Sequence, residues 1–182
     1  MRIVTGTARG THLLTPEGNA VRPTSAQVKE AVFSAVQFEI EGARVLDLFA
    51  GCGQMGLESL SRGASFVTFV DSSRASLDLV RKNAERCRFA EGFETVCSDF
   101  SLFLSRCQKQ YDFCFIDPPY RDGLYDKALT GAAALMRESG IIMCEHPSDV
   151  PLKERYGSFR LAKEYRYGKI RVAKYVFEGE LP

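Results

Sequence analysis

The chain has 182 residues, 45% hydrophobic and 26% charged, which suits one globular domain with its own core and leaves too little for two. Its longest apolar runs, such as 141–144, are far too short to span a bilayer, and segment 1–6 carries no apolar secretory stretch, so a cytoplasmic protein without a membrane partner is expected. The net charge of +1 hides a division: residues 1–29 sum to +3, 30–150 to −6 and 151–182 to +4, so both ends are basic enough to face phosphates, although ordinary solvated charges would read the same way.

In chain order, 1–23 reads as short strands and turns around Gly6 and Gly10, an extended hairpin-like arm. Thr24 can cap a helix with Gln27 completing a capping box, and Val28, Ala31, Val32, Ala35 and Val36 repeat at helical spacing up to 38–42. From residue 44 apolar runs alternate with helical segments. Strands are expected at 44–49, 66–71, 93–98, 112–117 and 140–145, with helices around 55–62, after a cap at Ser72 or Ser73, at 100–107 and at 125–136. Two further strands, 159–167 and 170–177, have only Gly168-Lys169 between them, which suits a tight antiparallel hairpin. Alternating strands and helices imply an α/β fold with a mostly parallel, doubly wound sheet covered on both faces. The division expected is an arm, 1–23, and a body, 24–182, with a monomer as the default.

Six cysteines, at 52, 87, 97, 107, 114 and 144, form no C-x-x-C pair, and His12 and His146 are the only histidines. No metal site is expected from that spacing; the cysteines read as small buried hydrophobes.

Two motifs carry chemistry. The first, Asp47-Leu48-Phe49-Ala50-Gly51-Cys52-Gly53-Gln54-Met55-Gly56, follows a strand and opens a helix, with Gly51, Gly53 and Gly56 matching G-x-G-x-x-G. Glycines let backbone approach a ligand closely, and Asp71, at the end of the second strand, can accept protons from both ribose hydroxyls. A pyrophosphate wants a helix N-terminus free of negative charge. Asp47 repels phosphate but can hold a cationic ligand such as an amino-acid ammonium, which favours S-adenosylmethionine over a dinucleotide. A glycine turn that only packs helix on strand is the plainer alternative.

The second motif, Asp117-Pro118-Pro119-Tyr120, ends the fourth strand. In an open α/β sheet ligands bind outside the carboxyl ends of the strands, so both motifs should open on one side. An exocyclic amino nitrogen is a poor nucleophile because its lone pair is delocalised into the ring. The Asp117 carboxylate and the Pro118 carbonyl can each accept one of its N–H bonds and turn the lone pair toward a sulfonium methyl. The proline pair fixes φ at both positions, and Tyr120 offers a stacking face worth roughly 1–3 kcal/mol per base. A Pro-Pro turn with an incidental aromatic is the plainer alternative. Asp99 can accept from an adenine amino group or cap the helix beginning at Phe100.

Over nearly its whole length the chain resembles the RsmD family of bacterial methyltransferases, which modify guanine N2 in small-subunit (16S) ribosomal RNA. The resemblance rests on Arg2-Ile3, Gly6, Arg9-Gly10, Arg22-Pro23-Thr24-Ser25, Glu30-Ala31-Val32-Phe33, Asp47-Leu48-Phe49-Ala50-Gly51, the Ser61-Arg62-Gly63-Ala64 run, Asp117-Pro118-Pro119-Tyr120 and Tyr167-Gly168. It implies a class I S-adenosylmethionine-dependent methyltransferase fold of seven strands, the last antiparallel, with the short arm added. It also implies that Asp47, Gly51 and Gly53 line the methionine end of the cofactor, that Asp71 meets the ribose and Asp99 the adenine, and that Phe49, Ala50, Ser72 and Phe100 are further cofactor-binding residues. Asp117, Pro118, Pro119 and Tyr120 would hold the base, with Asp117 also bordering the cofactor. Arg2, Arg9, Arg22 and Thr24 would contact RNA, either 16S rRNA or an assembly particle of the small subunit. Asp71 stands where glutamate is usual, Cys52 where serine or threonine is common, and Ser34 where asparagine is frequent. Adenine-N6 methylation of DNA or RNA, an NAD-dependent oxidoreductase and a non-catalytic RNA-binding module are the competing readings.

Overall fold

The strand segments at 45–47, 67–70, 113–116 and 141–144 are buried because they form the middle of one eight-stranded sheet. A computed structural model describes residues 1–16, 26–34, 36, 39–119 and 123–179. The elements run α1 (Ala26–Ser34), β1 (Arg44–Asp47), α2 (Gln54–Ser61), β2 (Phe66–Asp71), α3 (Arg74–Arg86), β3 (Phe93–Cys97), α4 (Phe100–Arg106), β4 (Tyr111–Ile116), α5 (Leu124–Ala133), β5 (Met136–Pro147), β6 (Arg155–Tyr156), β7 (Phe159–Tyr167) and β8 (Ile170–Phe177). The sheet order is β3-β2-β1-β4-β5-β8-β7-β6. β1 to β5 are parallel, and β8 enters antiparallel between β5 and β7. The seven expected strands are all present. The eighth, β6, is a two-residue edge pairing of Tyr156 with Phe159, too short to leave a periodic signal.

β5 begins at Met136, ahead of the expected 140, after a register shift between Tyr111 and Phe113 on its neighbour β4. The added stretch holds exposed Arg137, Glu138 and Ser139. Main-chain pairing extends a strand there that side-chain pattern does not mark. α1 ends at Ser34, and the Thr24 cap lies outside the described residues. Ser73, not Ser72, caps α3, its hydroxyl accepting the Ser76 N–H.

The sheet separates two cores. One face packs the arm and α1 to α3 through Ile3, Leu13, Phe33, Leu57, Phe69 and Val80; the other packs α4 and α5 through Leu46, Leu104, Ile116 and Leu129. The arm closes on itself through an Arg2–His12 antiparallel bridge and through the Gly10 N–H donating to Ile3 O at 2.9 Å. It docks on the last turn of α2 backbone against backbone. Gly6, at φ +87°, approaches so closely that an added Cβ would stand 1.6 Å from Ser61 O, and the Thr7 N–H donates to that oxygen at 2.8 Å.

Under the arm lies a buried ion pair. Lys29 Nζ is 3.0 Å from Glu58 Oε2, with side chains 1% and 0% exposed. Glu58 also accepts the Val4 and Thr5 N–H groups and Arg62 Nε, while Lys29 donates to Arg2 O. A buried carboxylate needs this many partners to offset its desolvation.

Candidate active site

The parallel strands end along one edge, and the residues expected at the site gather there. Asp47 closes β1, Asp71 closes β2 and Asp117 follows β4. The register Asp47↔Phe69 and Asp47↔Phe115 sets their strands side by side. Asp47 is buried beneath the glycine loop, where its Oδ2 accepts the Gly56 N–H at 2.9 Å. Burial pushes its pKa from 3.8 up to about 7; the Gly56 bond opposes the rise, and the nearby Asp117 and Asp71 charges add to it. Three acids therefore converge where β1 turns into α2.

The loop is held from both sides. The Ala50 N–H donates to Val70 O at 2.9 Å, and the Gly51 N–H donates to Asp71 Oδ2 at 2.9 Å. The other Asp71 oxygen accepts the Ser73 N–H at 2.8 Å, next to exposed Ser72. Gly51, at φ +53°, faces open space: a Cβ there would meet nothing within 4 Å. Gly53 is the left-handed cap of α2. Gly56 serves packing, since a Cβ would stand 2.2 Å from the Phe69 ring. Phe49 and Phe100, both half-buried, stand with ring centroids 5.1 Å apart. Asp99 caps α4, its Oδ1 accepting the Ser101 and Leu102 N–H groups at 2.9 and 3.1 Å, which is the helix-cap reading of that residue.

At the corner after β4, Asp117 is half-buried, Pro118 buried and Pro119 exposed. Tyr120, Arg22 and Thr24 lie outside the described residues. Of the arm cations, Arg2 and Arg9 are both exposed. Arg9 follows the residues docked on Ser61, at the far end of α2 from the glycine loop, about 12 Å along a helix of that length.

Two residues at the loop escape the motif reading. Asn83, fully buried on α3, donates to Cys52 O at 2.9 Å and to Leu14 O at 3.0 Å, and accepts the Leu14 N–H. It ties the arm to the loop; its one trace in the sequence is a polar residue on the apolar face of Leu77, Val80 and Ala84. Gln54, first residue of α2, is 8% exposed, and its Nε2 is buried without a hydrogen-bond partner. It opens α2 directly after the glycine loop, one helical turn before Glu58.

A model of the family described as Conserved hypothetical protein 95 matches residues 1–176. The chain belongs to this family. The chain is similar to the candidate rRNA methyltransferase YlbH of Bacillus subtilis, 32% identical over 98% of this chain and 100% of that protein. Ribosomal RNA small subunit methyltransferase D of Haemophilus influenzae is 32% identical over 84% of this chain and 81% of that protein. The namesake from Escherichia coli K12 is 35% identical over 71% of this chain, a match that spans 65% of the Escherichia coli protein. Among solved structures, the Escherichia coli methyltransferase candidate yhhF superposes with a TM-score of 0.89 at 30% identity, covering 99% of each chain. Sheet order and this likeness together identify the class I methyltransferase fold.

Proposed function

We propose that this family member is an S-adenosylmethionine-dependent methyltransferase acting on a guanine N2 amine of small-subunit ribosomal RNA. The observation that carries the reading is the convergence of Asp47, Asp71 and Asp117 on an open glycine turn, with Asp47 pushed up to about 7. An acid cluster of this kind suits a cationic ligand and repels a pyrophosphate. The names of the relatives, ribosomal RNA methyltransferases of the small subunit, support the substrate class.

The residues present fit the cofactor. The turn at Gly51 has open space beside it, where a Cβ would meet nothing within 4 Å. Gln54 supplies an unsatisfied buried N–H group to the one anionic part of the molecule, its carboxylate, which the acids would otherwise repel. S-adenosylmethionine supplies a methyl group on a sulfonium that is already a good leaving group. Asp47 would face the amino-acid ammonium and Asp71 the ribose hydroxyls, and Phe49 and Phe100 would flank the adenine beside Asp99. Asp117 and Pro118 O accept the two N–H bonds of the target amine, and Tyr120 stacks on its base. The protein contributes placement and exclusion of water. The amine acidifies as it is alkylated, and Asp117 or water takes its proton. A stacked base cannot reach this corner, so the nucleotide is unpaired or flipped out. The arm, 1–23, contributes Arg2, Arg9 and Arg22 to RNA contact, with Thr24 just after it, and the protein acts as a cytoplasmic monomer.

The deciding experiment incubates the purified protein and labelled cofactor with small ribosomal subunits, naked 16S rRNA and DNA, followed by mass-spectrometric mapping. Label on guanine N2 of the RNA is expected. Label on adenine N6, or none on any substrate, overturns the reading.

Two further outcomes follow from the loop. Because Asp47 holds its proton more tightly folded than unfolded, its contribution to stability declines as pH rises from 3.8 to about 7, with a slope of up to about 1.4 kcal/mol per pH unit. Cofactor affinity moves the other way. S-adenosylhomocysteine should bind more tightly as pH rises through 7 and the carboxylate charges, and Asp47→Asn should flatten both trends in calorimetry and thermal melts. Gln54→Ala should weaken S-adenosylhomocysteine roughly ten- to a hundredfold, the worth of one hydrogen bond to a charged group. It should leave 5′-methylthioadenosine, which lacks the carboxylate, unchanged; equal loss for both ligands would mean that Gln54 serves the loop's packing instead.

A further inference from the structure

The Tyr167-Gly168 pair marks the turn of the β7–β8 hairpin, and the sheet register places that turn beside the proposed methyl-transfer corner. Ile116 of β4 pairs with Cys144 of β5, so Pro118 and His146 each lie two residues beyond one paired rung. β8 runs antiparallel to β5, with His146↔Arg171 and Pro147↔Ile170. The two-residue connection Gly168-Lys169 thus stands at the carboxyl edge of the sheet, the edge on which Asp117 lies. Gly168, at φ +61°, gives the tight turn the backbone it needs.

This turn is cationic and well braced. Lys169 is exposed, and its carbonyl accepts the Ser148 N–H at 2.9 Å. The side chain of Arg166 is 74% exposed, with its Nε 3.9 Å from Glu164. Lys163, also exposed, lies over the Tyr165 ring at 4.8 Å on the opposite face of the hairpin. Beneath them Glu164 accepts from Arg171 at 2.8 Å and stands 3.5 Å from Nε2 of the buried His146, whose Nδ1 lies 3.0 Å from Pro147 O and Val150 O. Tyr165 and Tyr167 pack on the core. The hairpin is therefore a stiff support holding cations outward, unlike Arg155 and Arg160 at its other end, which pair with Glu178.

The edge needs such a group. Asp47, Asp71 and Asp117 make the cleft negative, which repels a polyanionic substrate, while Arg9 stands at the far end of α2. We propose that the β7–β8 turn, through Arg166 and Lys169, is a phosphate clamp that grips the RNA backbone next to the target nucleotide. The clamp rests on the proposed RNA substrate. Phosphate contacts fix register and orientation without reading sequence, so the turn would position the strand while the corner selects the base.

The test measures binding of a 16S rRNA transcript across a salt series for wild type, Arg166→Glu/Lys169→Glu and, as an opposite-edge comparison, Arg160→Ala. For the turn variant, affinity at low salt should fall by roughly tenfold or more. The slope of log affinity against log salt should shrink by about 1.4, at about 0.7 per phosphate on a single strand. S-adenosylhomocysteine affinity and melting temperature should match wild type, and Arg160→Ala should keep the full slope. A turn variant that binds this RNA with wild-type affinity and slope overturns the clamp and leaves the methyltransferase reading standing. A wild-type protein that binds cofactor but no RNA overturns both.

Discussion

Replacing Asp117 with alanine should lower single-turnover methyl transfer by at least about a hundredfold, the cost of a small misplacement of reacting groups, while S-adenosylhomocysteine still binds. In the proposed mechanism Pro118 O alone grips one N–H of the amine, and the nitrogen lone pair is no longer aimed. Asp117→Asn should fall between, since it keeps one acceptor oxygen but loses the charge. Either change also removes a negative neighbour that helps to raise Asp47. The cofactor-binding transition near pH 7 should therefore move to lower pH in both variants. Stopped single-turnover assays with labelled cofactor, paired with calorimetry at several pH values, measure the two effects separately. Wild-type transfer by purified Asp117→Ala would end the mechanism.

The second large effect is structural. Glu58→Ala leaves Lys29 in the core without its ion-pair partner and strips acceptors from the Val4 and Thr5 N–H groups and from Arg62. Breaking a buried pair from one side costs about 3–5 kcal/mol, which for a domain of this size lowers the melting temperature by roughly 10 °C. Hydrogen exchange should quicken first at Val4 and Thr5. The double variant Lys29→Met/Glu58→Leu should recover more than half of the loss, because it removes both charges together. A single variant within about 1 °C of wild type would show that the apolar contacts of Ile3 and Leu13 and the arm's bonds to Ser61 and Asn83 hold it without the ion pair.

Glu58 also shows where sequence reading stops. Its place in α2 is legible from periodicity, but nothing local marks it as buried, because its partners lie 29 residues upstream at Lys29 and more than 50 upstream at Val4 and Thr5. Asn83 is similar: its partners, Cys52 O and Leu14 O, come from two other segments. Gln54 sits inside the motif itself, yet only burial reveals that its amide lacks an acceptor. The Asp99 cap, by contrast, is local, and its two bonds reach residues two and three positions on.

What the amino-acid order determined alone was the succession of strands and helices, the glycine turn, the proline corner and the tight β7–β8 turn. Each depends on neighbours within a few positions, through backbone freedom at glycine, fixed φ at proline and alternating burial. The shared edge of the three carboxylates followed from the strand succession, whereas the tertiary structure alone decided that one of them is buried enough to be pushed up to about 7, and that a cationic turn more than 45 residues after Asp117 stands beside it. Burial, electrostatic coupling and strand register arise between segments distant in the chain, so no local pattern records them.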